Sequence, residues 1–162
     1  MITVDHLLPH ETPIIMTTPI MYDLHPNPLG SYDWSLHRMQ GLPVQLGLPG
    51  HGRTMPDFQE IVLRQLSHHD TRYDDALASL YAHDDEDAFT ICCAIPWAGR
   101  HLCFTQLRTT DQLFAFSETI AHLRALEGQG LVQCYTLPGG QVRWRLTAAG
   151  QDKHLAFLKV QE

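Results

Sequence analysis

The sequence predicts an α+β protein: a Pro-rich N-terminal arm, two short helices and a β-hairpin, then a C-terminal unit of helix, hairpin and helix. Eight of the ten prolines lie before position 57, so regular elements there should be short. Farther along, apolar residues recur at helical spacing in several stretches, and alternating stretches flank glycine-containing turns. The 162 residues suffice for one domain, or for one domain with a substantial extension, and an apolar fraction of 44% argues against disorder.

The first 53 residues form the predicted arm, which is irregular, rich in Pro and Gly and partly extended. The stretch "TPIIMTTPIMYDL" could form one or two brief strands, and "LPVQLGLPGHG" is typical of a strand that ends in a turn. The arm carries many large apolar side chains, which would be costly to leave in water. We therefore expect it to pack on the rest of the chain or on a second subunit.

Residues 54–107 are predicted to be an acidic helical segment followed by a hairpin. Two short helices are indicated by apolar side chains at helical spacing, with Asp70 as the cap of the second. The first set is Phe58, Ile61, Val62 and Leu66, and the second is Tyr73, Leu77, Leu80 and Tyr81. After them, "DAFTICCAIPWAGRHLCFTQL" has the alternation and the central turn of a hairpin, although a buried helix remains an alternative.

Residues 108–162 are predicted to form helix, hairpin and helix. One apolar stripe runs through residues 110–128, and glycines follow it. It consists of Leu113, Phe116, Ile120, Leu123 and Leu126. Residues 131–146 alternate on both sides of the turn "LPGG", which predicts a hairpin, and Thr147 is a suitable cap for the last helix. The pattern leaves open whether residues 110–128 are one helix or a helix-turn-helix.

Charge is distributed unevenly along the chain. The net charge is −7, but residues 1–99 hold four Arg against thirteen acids, while residues 100–162 hold seven Lys and Arg against five acids. Such asymmetry favours a nucleic-acid contact in the C-terminal part.

No apolar run is long enough for a membrane span, and no secretory signal pattern opens the sequence, so a cytoplasmic location is expected. The four cysteines have neither disulfide nor zinc-ribbon spacing, which predicts reduced thiols.

The order of features in the C-terminal part resembles the winged helix-turn-helix domains of MarR-type and PadR-type regulators. The resemblance spans about residues 105–158 and is carried by a helix, a Gly-Leu-Val strand, a glycine-tipped hairpin and a Leu-Thr-x-x-Gly helix start. The matching residues are Leu123, Leu126, Glu127, Gly130, Leu131, Val132, Gly139, Gly140, Arg143, Arg145, Leu146, Thr147 and Gly150. The resemblance implies a recognition helix at 117–128, a wing at 132–146 and a homodimer.

A DNA interface would use polar side chains that lie off the apolar stripe and on one face of the hairpin. On the helix, Arg124 and His122 could contact bases, and Ser117 and Thr119 could contact phosphates. On the returning strand, Gln141, Arg143 and Arg145 alternate with apolar residues and should share one solvent face. The sequence therefore predicts a non-catalytic transcriptional regulator of bacterial, phage or plasmid origin that binds duplex DNA without metal or other cofactor.

Two other functions remain as alternatives. A winged-helix module could bind a protein partner through its acidic N-terminal half, as an inhibitor or a DNA mimic. A small metal-dependent hydrolase is the third option, because imidazoles and carboxylates cluster in two short stretches. They are His68, His69, Asp70, His83, Asp84, Asp85, Glu86 and Asp87. Helix caps and a solvated acidic loop explain these residues more simply, and no HExxH, GxSxG, phosphate loop or CxxC pair occurs.

Overall fold

The computed structural model describes residues 1–17, 24–97 and 99–160, and the chain divides into two compact units. Unit 1 comprises Met1–Ile14 and Gly30–Thr71, and unit 2 comprises Ile15–Leu29 and Arg72–Glu162. The elements of the described residues are, in chain order, β1 (Ile2–Val4), α1 (Pro28–Met39), β2 (Leu48–Pro49), α2 (Phe58–His83), β3 (Asp85–Glu86), α3 (Ala88–Ala94), a 3-10 turn (Phe104–Gln106), α4 (Thr109–Gly128), β4 (Val132–Thr136), β5 (Val142–Leu146) and α5 (Ala148–Val160). The mixed α and β content is as predicted.

Unit 1 contains more regular structure than an irregular arm. Strands β1 and β2 pair in parallel, with Ile2 opposite Leu48. Helix α1 begins at Pro28. Proline suits the first turn of a helix, because the amides of that turn have no partner within the helix and proline has no amide hydrogen. The many prolines led to the prediction of irregular structure, which is wrong for the residues of this helix. In "TPIIMTTPIMYDL", residues 12–17 form no strand, so the prediction is wrong there, and residues 18–23 lie outside the described part of the chain.

The two predicted short helices are one helix, α2. Its first apolar set is buried as expected, since Phe58, Ile61 and Val62 are almost fully inaccessible. Asp70 lies inside the helix instead of capping a new one. At the expected break, the hydroxyl of Thr71 donates to the carbonyl of Ser67 at 2.8 Å, a local bond that a continuous helix accommodates.

The hairpin predicted over residues 89–107 is wrong. Asp87 accepts hydrogen bonds from the amides of Phe89 and Thr90, and this cap starts the short helix α3. The chain then turns through one isolated bridge, Trp97 with Leu102, into the 3-10 turn. The alternation of large and small residues thus belongs to a helix that buries Ile91 and its neighbour Cys92.

The C-terminal elements match the predicted helix, hairpin and helix. Helix α4 is one continuous helix, so the alternative of two shorter helices is wrong for these residues. Strands β4 and β5 pair antiparallel, and β3 adds a third strand beside β5 that the sequence did not indicate. Thr147 caps α5 as expected, because its hydroxyl accepts from the amide of Gly150 at 3.1 Å.

Arg72, in the second half of α2, forms a cluster of contacts with other residues of unit 2. The Nε of Arg72 lies 3.3 Å from Glu118, its Nη1 lies 3.5 Å from Asp75, and its guanidinium stacks over the ring of Trp97 at 4.2 Å. The Nη1 also donates to the carbonyl of Pro96 at 2.5 Å. The Arg72 side chain is only 11% exposed, so these contacts replace most of its hydration.

No helix among the described residues is long and apolar enough to cross a membrane.

Candidate functional site

A carboxylate and an imidazole meet at the carboxyl ends of the paired parallel strands of unit 1. Asp5 directly follows β1, and His51 follows β2 by two positions. Because carboxyl ends of parallel strands lie at the same edge of a sheet, residues 46 positions apart come together. The Nε2 of His51 lies 3.5 Å from the Oδ1 of Asp5, and the two side chains are 61% and 69% exposed. Both side chains are therefore accessible to solvent.

The backbone around this pair is tightly fitted. A Cβ on Gly50 would lie 2.6 Å from the Oδ1 of Asp5, and a Cβ on Gly52 would lie 2.9 Å from Pro9. Gly52 has a φ of +84°, which glycine adopts readily. Val4, a β-branched residue, has a φ of +49° immediately before Asp5. Such backbone strain concentrates at functional sites, where the surrounding structure holds it in place.

Buried contacts in unit 1 support the chain on either side of Asp5. The hydroxyl of Thr3 donates to the carbonyl of Leu7 at 3.0 Å, and the hydroxyl of Tyr32 donates to the carbonyl of His6 at 2.9 Å. The Nε2 of His6 lies 2.9 Å from the hydroxyl of Ser35, and burial lowers the pKa of this imidazole. The turn that carries Asp5 is therefore held by side chains from β1 and α1.

Carboxylate and imidazole are the donor types that bind zinc and related cations in hydrolytic enzymes. A catalytic zinc uses three protein ligands, however, and Asp5 and His51 supply only two. Among residues 1–17, 24–97 and 99–160, no group of three His, Cys, Asp or Glu side chains comes close enough to hold a metal ion. Asp5 and His51 are suitable types of metal ligand, but two ligands are too few for a catalytic zinc. No complete metal centre therefore lies within the described residues.

The imidazoles and carboxylates that suggested a metal site in the sequence do not assemble into one. His69 is buried, and its ring stands edge-on to Tyr32. Asp87 caps α3, as the simpler interpretation predicted. Asp85 accepts a hydrogen bond from the Tyr135 hydroxyl, which lowers the pKa of this carboxyl, and Arg143 adds to the effect. These side chains serve packing, capping and ion pairing.

The predicted outward face of α4 is largely buried. Ser117, Thr119 and His122 are at most 7% exposed, so the expectation that they face solvent is wrong. The Thr119 hydroxyl donates to the carbonyl of Ala115, and the His122 ring stands edge-on to Tyr73. Ser117 instead bonds the backbone of Thr17, so these polar side chains serve contacts within unit 2.

The arginines of the proposed DNA interface have partners within the chain. Arg124 donates to Glu127 at 2.6 Å, three positions along the same helix, and stacks on Trp144. Arg143 pairs with Asp85 at 3.1 Å. Arg145 bonds the side chain of Gln133 at 2.8 Å and lies over Tyr135. Gln141 is exposed beside the hairpin turn.

Sequence reasoning missed both residues of the edge pair. The stretch "LPVQLGLPGHG" was predicted to be a strand that ends in a turn, and no site was predicted in "TVDHL". A usable signal was present: His51 lies between two glycines after a short apolar run, where the backbone can approach a ligand closely. The partner could not be inferred, because two- and three-residue strands leave little periodicity.

Two solved structures are similar in fold to this chain. The fold matches a β-lactamase domain protein from Burkholderia ambifaria at 26% identity, with a TM-score of 0.71. It also matches a metallo-β-lactamase family protein from Thermus thermophilus at 23% identity, with a TM-score of 0.67. Each match covers 90% of this chain and 41% of the other, so the chain spans less than half of these neighbours. No family model and no curated protein matches the sequence.

These neighbours overturn the winged-helix interpretation. The resemblance to MarR-type and PadR-type regulators is wrong, as is the C-terminal winged-helix unit, because the solved structures whose fold this chain matches are a β-lactamase domain protein and a metallo-β-lactamase family protein. The helix-hairpin-helix order was correct locally, but such an order does not identify one fold. The predictions of a non-catalytic transcriptional regulator, of a duplex DNA partner and of a homodimer fall with it.

Proposed function

We propose that this chain belongs to a metal-dependent hydrolase and contributes Asp5 and His51 to its metal centre. The observation that carries the proposal is their position: a carboxylate and an imidazole 3.5 Å apart, exposed at the carboxyl edge of β1 and β2. The neighbours, whose names place them among β-lactamase-type proteins, support the assignment. Hydrolysis was the third function considered from the sequence, but with a different set of ligands.

A catalytic metal centre needs further ligands beside Asp5 and His51. Two side chains cannot fix the geometry of a catalytic zinc, and the chain corresponds to 41% of the neighbours' length. The remaining ligands would come from a portion of the fold that corresponds to the rest of those proteins. The high exposure of Asp5 and His51 suits this arrangement, because both side chains remain accessible to further ligands. The cytoplasmic location expected from the sequence remains a prediction.

A chimera tests the proposal. The segment of the Burkholderia ambifaria protein that this chain matches would be replaced by this chain, and bound zinc would be measured by elemental analysis after dialysis. Asp5→Ala and His51→Ala should each lower retained zinc at least by the roughly tenfold loss that follows removal of a residue supporting a metal ligand. Hydrolysis of β-lactam, ester, thioester and phosphodiester probes should be sensitive to chelation and fall in parallel.

His10→Ala is the matched control, because His10 is an exposed imidazole in the same unit. It should leave zinc content and hydrolysis unchanged. Retention of full zinc by a folded chimera with either Asp5→Ala or His51→Ala would show that the edge pair is not part of the metal centre.

A further inference from the structure

Unit 2 contains a concave pocket that the proposed metal centre does not use. It has a volume of about 500 Å³, within the range of small-molecule sites. Its apolar lining comes from the chain before α1, from α3 and α4, and from β5. Its main apolar side chains are Phe89, Leu113, Phe116, Ile120 and Trp144.

The orientation of α4 explains why the pocket is apolar. This helix buries its small and polar side chains, such as Ser117 and Thr119, and turns large apolar ones toward the pocket. Leu113 is 61% exposed at the rim, and Phe89 on α3 is 54% exposed although it contacts the ring of Phe116 edge-on. A helix that leaves large apolar side chains in water while burying polar ones loses hydrophobic stabilisation. A bound apolar molecule would restore it.

The two charged side chains of the pocket are already engaged within the chain. Arg124 is paired with Glu127 and stacked on Trp144. Asp87 accepts from two amides at the start of α3 and from the hydroxyl of Thr90. A charged ligand would have to compete with these bonds or give up its own hydration, which is unfavourable in an apolar cavity. The lining therefore favours an uncharged ligand.

We infer that this pocket is a binding site for a small, neutral, largely hydrophobic molecule with an alkyl or aryl body. The concave shape and limited volume favour a small molecule over a protein segment. The hydroxyl of Thr17, which has no hydrogen-bond partner among the described residues, is available to a single hydroxyl or carbonyl group of the ligand. This inference does not depend on the metal centre, since the pocket consists of unit 2 residues and Asp5 and His51 belong to unit 1.

Fluorescence titration of the whole chain with the neutral dye N-phenylnaphthylamine tests the inference. The dye should bind with saturable enhancement, and decanol should displace it more effectively than decanoate or decylammonium. Leu113→Arg should weaken dye binding about tenfold, because a charge at the rim must be desolvated as the ligand enters. Ile120→Trp should weaken it as well, by filling the cavity.

Leu63→Arg is the matched control, since Leu63 is 53% exposed on a helix of similar length and lies outside the pocket. It should leave dye affinity unchanged, and circular dichroism verifies that each variant is folded. Equal weakening by Leu63→Arg and Leu113→Arg would overturn the site. Absence of saturable binding would also overturn it, and stronger displacement by decanoate would refute the neutral class of ligand.

Discussion

Replacing Arg72 by Leu is expected to destabilise unit 2 by about 3–5 kcal/mol, because it removes the largely buried guanidinium that pairs with Glu118, whereas Asp75 keeps its ion pair with Arg100. Glu118 and Asp75 both face this guanidinium, and their side chains are 20% and 11% exposed. The substitution also removes the stacking on Trp97 and the hydrogen bond to the Pro96 carbonyl. Urea denaturation followed by circular dichroism would measure the loss.

Two further variants distinguish charge from packing at this cluster. Glu118→Gln in the Arg72→Leu background should recover part of the lost stability, because it removes the carboxylate charge that Arg72 no longer compensates. Arg108→Ala is the control, since this arginine is 88% exposed in a similar ion pair with Asp111 and should contribute less than about 1 kcal/mol. An Arg72→Leu variant no less stable than Arg108→Ala would refute the role assigned to the cluster.

Replacing Gly150 by Ala should cost about 3 kcal/mol, even though alanine is the better helix former. A Cβ at this position would lie 2.0 Å from the carbonyl oxygen of Leu131 and 3.1 Å from Leu146. The Leu131 carbonyl accepts from both the amide and the hydroxyl of Thr147, so moving it would disrupt the start of α5. Thermal unfolding by calorimetry would measure the change.

Gly139→Ala is the control for this substitution, because it makes the same chemical change in open space. Nothing lies within 4 Å of a Cβ at Gly139. We expect its free energy of unfolding to stay within about 0.5 kcal/mol of the parent, as for ordinary surface substitutions. Similar stabilities for the two variants would mean that α5 can move away from Leu131 at little cost.

Local signals in the sequence predicted most of the C-terminal elements. The features that the sequence did not predict depend on contacts between residues that are far apart along the chain. The apolar stripe of α4 located the helix, but not the face that is buried. Leu123 and Leu126 are buried as that pattern suggests, whereas Leu113 lies at the rim of a pocket. Buried Thr119 and His122 satisfy their polar atoms within the helix, which periodicity cannot reveal.

The candidate metal site was less predictable than the fold. Its two residues come together only because β1 and β2 pair across more than 40 residues of sequence, and the strands are too short to show alternation. The sequence pattern indicated a possible metal site instead at the histidines and acids that are adjacent in sequence near His68 and Asp85. Proximity along the chain is a poor guide to a ligand set when the fold brings donors from separate strands to one edge.

Cobalt-induced changes in the NMR spectrum test most directly whether Asp5 and His51 bind metal. In an amide spectrum of the whole chain, the signals of residues 5 and 50–52 should shift or broaden at the lowest Co²⁺ concentrations, since Co²⁺ binds the same donor types as Zn²⁺. Asp5→Ala and His51→Ala should each abolish this local effect, and His10→Ala should preserve it. Changes that begin instead at residues 83–87, or an edge effect that survives both substitutions, would contradict the assignment of the metal centre.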